Sequence, residues 1–75
     1  MVTAFVLIMS KTGKEKDVVK ELSRLENVKE VSVVYGDYDI VAKVEVPSME
    51  NLNSLIISQI RKIPNVSMTS TLVGI

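Results

Sequence analysis

The sequence repeats itself, and this repeat restricts the folds that the chain can adopt. The segment LENVKEVSVVYG at 25–36 aligns with IPNVSMTSTLVG at 63–74, so that Gly36 meets Gly74, 38 positions later. Other aligned positions share an apolar side chain: Val6 with Val44, Ile8 with Val46, Val18 with Ile56, and Leu22 with Ile60. One half-unit is therefore written twice, and each copy should contain the same structural elements.

Each half is predicted to form a strand, a helix and a second strand. Residues 4–9 are apolar without alternation, which is typical of a strand buried on both faces, and 40–46 is their counterpart. Apolar stripes at helical spacing follow, and strands over 30–35 and 66–73 close the two halves. The βαββαβ order predicts one α+β domain over residues 1–75. Its ferredoxin-like fold has a four-stranded antiparallel sheet with two helices on one face, an α/β sandwich.

Local signals indicate where the helices begin and end. Thr12 followed by Glu15 has the pattern of a capping box, in which each side chain satisfies a free backbone N–H. Ser48 is a favourable N-cap for the second helix, and Pro64 is expected to stop it.

Two helices cover only one face of such a sheet, yet the first strand is apolar on both sides. The chain is 47% hydrophobic and contains no cysteine for disulfides, so self-association is the remaining way to bury the second face. The sequence therefore predicts a homo-oligomer, a dimer at least, in which sheet packs against sheet. The pattern does not indicate which first-strand side chains point toward the helices and which toward the uncovered face.

The side chains present argue against several classes of function. Without histidine or cysteine, Ser–His and Cys–His nucleophile pairs cannot form, and zinc lacks its usual ligands. We expect no catalytic residue, metal or cofactor. Nine basic and nine acidic residues balance, and one Phe and two Tyr give little surface on which bases could stack. The opening apolar run is too short for a signal segment or a membrane span, so a cytoplasmic protein without membrane contact is expected.

The turn between the second and third strands is unusually polar. YGDYD at 35–39 places Asp37 and Asp39 on either side of Tyr38, more polar chemistry than a chain reversal needs. One interpretation is that this turn lines a ligand-binding site. The other is a pair of turn-forming carboxylates held in water.

The last strand carries hydroxyl groups that its repeat partner lacks. Thr69 and Thr71 take the places of Val31 and Val33. Threonine resembles valine in shape but adds a hydroxyl, which costs free energy if it is buried without a partner. The alternative is that threonine simply suits an exposed edge strand.

These two stretches together resemble a known family. GDYDI at 36–40, combined with IRKIPNVSMTSTLV at 60–73, is similar to the amino-acid-sensing (RAM) domain of the Lrp/AsnC transcription regulators. The resemblance covers essentially the whole chain. It implies dimers that assemble into rings of eight or ten chains, with a free amino acid bound in clefts between neighbouring dimers. The residues that it assigns to ligand binding are Gly36, Asp37, Tyr38, Asp39, Thr69, Ser70 and Thr71.

The resemblance covers only the ligand-binding part of the full-length regulators. Full-length members carry an N-terminal helix-turn-helix domain, whereas this sequence starts directly in the first strand. The expectation is a stand-alone, non-enzymatic sensor without DNA binding of its own, which modulates transcription by associating with a full-length Lrp/AsnC regulator. The alternatives are a purely structural oligomerisation module and a small α/β-barrel-type enzyme subunit. The sequence does not indicate which amino acid binds.

Overall fold

The chain folds into one four-stranded antiparallel sheet with both helices packed on the same face. The computed structural model describes all residues, Met1–Ile75. Its elements in chain order are β1 (Val2–Ser10), α1 (Glu15–Ser23), β2 (Val28–Val33), β3 (Ile40–Val46), α2 (Met49–Ser58), a 3-10 helix (Ile60–Lys62) and β4 (Val66–Val73). The strand order β2-β3-β1-β4 confirms the predicted ferredoxin-like fold. None of the helices is long and apolar enough to cross a membrane.

The strand boundaries follow the predicted pattern, with one shift. The third and fourth strands have the predicted bounds, 40–46 and 66–73, and β1 extends further at both ends than expected. The second strand lies two residues earlier than the predicted 30–35, because the chain leaves the sheet after Val33. The Val34 N–H then donates to the Asp39 carbonyl at 2.8 Å, which closes the connection to β3.

The predicted capping box at the start of α1 is wrong. The helix begins at Glu15 with Lys14 as its N-cap, and no side chain caps it. Gly13 adopts φ of 83°, a left-handed conformation that glycine accepts readily, and this turn separates Thr12 from the helix. The first helical N–H groups are thus left without a hydroxyl or carboxylate partner.

The cap predicted for α2 is confirmed, but its end is not where Pro64 suggested. The Ser48 hydroxyl accepts a hydrogen bond from a backbone N–H of the first turn at 3.2 Å. The α-helix ends at Ser58 and continues as the 3-10 helix Ile60–Lys62, whose tighter turns bring the chain down onto β4. Ile63 is extended, the conformation that a following proline favours.

The core lies between the sheet and the helices. Alternate residues of β1 face the helices and are fully buried: Ala4, Val6 and Ile8. Their neighbours on β3 do the same: Ile40, Ala42, Val44 and Val46. The helices contribute Val18, Leu22, Leu52, Leu55 and Ile60. Burying each of the larger side chains stabilises the fold by about 1.5–3 kcal/mol before entropy is counted, which makes this face the main source of stability.

The other face of the sheet carries no helix and is partly apolar. We define the open face by Phe5, Leu7 and Met9 of β1 with Met68 and Leu72 of β4. The strand register places Phe5 beside Leu72 and Met9 beside Met68, so these side chains form one continuous surface. Met68 and Leu72 are 55% and 56% exposed. An apolar surface of this kind is typical of an association site.

The two faces of β1 should respond differently to an added charge. Leu7→Lys should leave the monomer folded while preventing assembly, because Leu7 lies on the open face. Val6→Lys should prevent folding, because Val6 is fully buried and a lysine there would have no partner. Sedimentation and circular dichroism on both variants measure this. A parent protein that is monomeric, or a Leu7→Lys variant with the parent's mass, would contradict the assignment of the open face as an association surface.

Candidate functional site

The predicted site residues lie toward one end of the sheet, on either side of β1. Because neighbouring strands are antiparallel, the end of β1 lies beside the starts of both β3 and β4. Ile8 pairs with Ile40 on one side and with Thr69 on the other. The β2–β3 turn, residues 34–39, therefore lies at the same end of the sheet as the first residues of β4.

Asp39 is the residue that holds the β2–β3 turn onto the sheet. Its Oδ2 accepts a hydrogen bond from the Ser10 N–H at 2.9 Å. Its own N–H donates to the Ile8 carbonyl at 3.0 Å, and its carbonyl accepts from the Val34 N–H. The second carboxylate oxygen has no hydrogen bond within the chain. Asp39 thus has a structural role that the sequence did not reveal, and retains an acceptor for another group.

The other predicted turn residues lie at the surface. Gly36 has φ of 125°, a backbone conformation that a residue with a side chain rarely adopts. Asp37 is exposed and Tyr38 is half-buried. Neither makes a side-chain hydrogen bond or ion pair within the chain. The tip of the turn is therefore available to a ligand or to another copy of the chain.

The three predicted residues of β4 do not point the same way. Thr69 and Thr71 pair with core residues of β1 and lie on the helix side, whereas Ser70 pairs with Leu7 on the open face. All three are half-buried. The threonine hydroxyls make no hydrogen bond within the chain. Within one chain, the side chain of Ser70 therefore points away from those of the two threonines.

A cleft of about 350 Å³ lies between the start of α1 and the β2–β3 turn, which we name the turn cleft. Its lining combines charged and apolar side chains: Glu15, Lys16, Val33, Val34, Tyr35 and Asp39. The volume lies in the range of small-ligand pockets. Among the predicted site residues, only Asp39 contributes to it.

A second cleft, of about 320 Å³, lies where the 3-10 helix meets β4, and we name it the β4 cleft. Its lining residues are Arg61, Val66, Ser67, Met68 and Thr69. Among the predicted residues, only Thr69 contributes. A third groove of about 310 Å³ is lined by polar residues of α1 together with Pro64 and Asn65, and contains no predicted residue.

The structure thus divides the predicted site into two parts. Asp39 lines the turn cleft and Thr69 lines the β4 cleft, with strand β1 between them. Sequence reasoning missed Lys16 and Arg61 as cleft residues. Arg61 lay inside the motif used for the family resemblance, but its position depends on the 3-10 helix, which no local pattern predicted.

Comparison with known proteins assigns the chain to a family. Residues 3–75 match the model of the Lrp/AsnC ligand-binding domain. The chain belongs to the Lrp/AsnC family. The HTH-type transcriptional regulator FL11 of Pyrococcus abyssi is 40% identical over 70 residues, which cover 93% of this chain and 46% of FL11. The chain spans about half the length of the curated Lrp/AsnC relatives it matches.

Solved structures of the family share the architecture closely. The crystal structure of FFRP-DM1 superimposes with a TM-score of 0.96 at 45% identity, with all of both chains covered. The structure of E. coli AsnC superimposes with a TM-score of 0.94 at 28% identity, covering 99% of this chain and 50% of AsnC. The FL11 proteins of Pyrococcus abyssi and Pyrococcus horikoshii are HTH-type transcriptional regulators.

The structural role of Asp39 predicts a graded response to substitution. Asp39→Ala should lower the free energy of unfolding by roughly 1–3 kcal/mol, because it leaves the Ser10 N–H unpaired at a buried residue. Asp39→Asn should cost less, since its amide oxygen can still accept that hydrogen bond. The exposed Asp37→Ala is the control, and should change stability by about 0.5 kcal/mol at most. Urea unfolding at one protein concentration tests this, and equal effects of both alanine variants would exclude the role.

Proposed function

We propose that the chain is an amino-acid-binding regulatory module, which binds a free amino acid in clefts between copies of itself. It assembles through the open face as a dimer and further into rings of eight or ten chains. It influences transcription by associating with full-length Lrp/AsnC regulators. The observation that carries the proposal is the separation of an unused acceptor, on Asp39, from unused hydroxyl donors, on Thr69 and Thr71.

The chemistry of these groups suits a zwitterion. An amino acid's ammonium group needs acceptors, and a carboxylate such as Asp39 forms charge-assisted hydrogen bonds with it. Its carboxylate needs donors, which hydroxyl groups such as that of Thr69 can provide. Gly36 leaves the tip of the turn without a side chain, so that a ligand can approach the backbone there.

The arrangement of the strands favours a site built from two chains. Ile40 and Thr69 flank Ile8 on opposite sides, so they are two strand spacings apart, roughly 10 Å. The ammonium and carboxylate of an α-amino acid are attached to the same carbon atom. A ligand held by Asp39 and Thr69 of one chain would have to share the space that β1 occupies. A neighbouring chain can instead bring its turn against β4.

A purely structural oligomerisation module is the competing interpretation. It requires the same open face and the same assembly, but gives the unpaired hydroxyls and the Asp39 carboxylate no ligand. Calorimetric titration of the protein with each of the common amino acids separates the two proposals. Saturable binding of one amino acid or a related group is expected. Heats of dilution alone across the whole set would exclude the sensor.

Substitutions at the two halves of the site should each weaken binding. Asp39→Asn should lower affinity by about ten- to a hundredfold, because it removes one charge-assisted hydrogen bond. Thr69→Val and Thr71→Val should also weaken binding while leaving the fold intact, because valine occupies both equivalent positions in the first half of the repeat.

Two control substitutions remove the same chemical groups at positions outside the proposed site. Asp17→Asn removes an exposed carboxylate on α1, and Ser32→Ala removes an exposed hydroxyl on β2. Both should bind the amino acid as tightly as the parent protein. If Asp39→Asn and both threonine variants also retain the parent's affinity, these residues do not form the site.

A further inference from the structure

The β4 cleft has the composition of an anion site. Arg61, Ser67 and Thr69 line it, which are residues with side-chain hydrogen-bond donors, and no acidic residue does. An arginine side chain carries several N–H donors in a planar fork that matches a carboxylate. The turn cleft differs, because it contains the carboxylates of Glu15 and Asp39.

Arg61 has no partner within its own chain. The chain forms only two ion pairs, Arg24 with Glu21 at 3.0 Å and Lys43 with Glu30 at 4.0 Å. Arg61 is exposed beside the cleft, and no side-chain hydrogen bond occupies its guanidinium. Its charge is therefore available to a group from outside the chain.

The internal repeat shows that the framework does not require these donors. The position equivalent to Arg61 in the first half is Ser23, whose hydroxyl bonds to the Val19 carbonyl of its own helix at 2.8 Å. The position equivalent to Thr69 is Val31. The same fold is thus built in the first half without a guanidinium or a threonine hydroxyl at these places. The guanidinium and the threonine hydroxyl are additions of the second half, whereas Lys29 takes the place of Ser67.

We infer that Arg61, together with Ser67 and Thr69, binds the α-carboxylate of the amino-acid ligand. Arg61 acts here as an affinity-determining residue, and the ligand's ammonium group lies at the β2–β3 turn of a neighbouring copy. The assignment of the carboxylate to an amino acid rests on the proposed function. The affinity of the β4 cleft for a carboxylate does not, and can be measured separately.

The first experiment uses acetate, a carboxylate without an ammonium group. Titration of the whole chain, followed by two-dimensional ¹⁵N–¹H NMR, should shift the Arg61 side-chain Nε–H and the Ser67 and Thr69 amides along a saturable curve. Binding on the order of tens of millimolar is expected from one charge-assisted contact. Arg61→Gln should weaken it about tenfold or more. Lys62→Gln removes the same charge at the adjacent exposed position outside the cleft, and should have no effect.

The second experiment compares the amino acid that binds with its α-carboxamide, which lacks the negative charge. Arg61→Gln should weaken binding of the amino acid by about ten- to a hundredfold and leave binding of the amide nearly unchanged. Arg61→Lys should recover part of the loss, because it keeps the charge but not the planar fork. An equal loss for both ligands would show that Arg61 does not act on the carboxylate, and would overturn the inference.

The outcomes separate this inference from the proposed function. If no amino acid binds but acetate shifts Arg61 as expected, the sensor proposal fails while the carboxylate affinity of the β4 cleft stands. If an amino acid binds, Arg61→Gln leaves its affinity unchanged and acetate shifts no signal of the cleft, then the inference is wrong and the proposed function stands. If Arg61→Gln only lowers the mass of the assembly, its partner is an acidic side chain of another copy, and the inference is again wrong.

Discussion

Strand β1 is the element on which the rest of this structure depends. It lies between β3 and β4, and hydrogen-bonds to both, so it determines the register of the central sheet. Its alternate residues are buried under the helices on one face and form an apolar surface on the other, of the kind that is typical of an association site. It also separates the acceptor at Asp39 from the donors on β4. The division of the candidate site into two halves is therefore a consequence of strand order.

Much of the fold could be predicted because its signals are local. The bounds of β3 and β4, and the Ser48 cap, all depend on residues close in sequence. The internal repeat predicted the order of the elements, because two aligned halves should each form the same strand–helix–strand unit. The start of α1 could not be predicted in the same way. A threonine followed by a glutamate satisfies the capping pattern, but the left-handed Gly13 between them places the threonine outside the helix.

The candidate site was harder to predict than the fold, because its geometry depends on contacts between distant segments. The hydrogen bond from Ser10 to Asp39 joins residues 29 positions apart, and explains part of the polarity of the turn without any ligand. The β4 cleft depends on how the 3-10 helix packs against an edge strand. Alternation along β4 also separates Ser70 from the two threonines, although the sequence places all three together.

The claim that one ligand site takes its two halves from different chains is tested most directly by complementation. Asp39→Asn and Thr69→Val chains are denatured, mixed, and refolded together, and the mixture is titrated with the amino acid that the parent protein binds. If the site lies between chains, some sites combine an unmodified turn with an unmodified β4, and a class of tight sites appears that neither variant shows alone. If both halves belong to one chain, the isotherm of the mixture equals the sum of the two separate isotherms. That result would contradict a ligand site shared between chains.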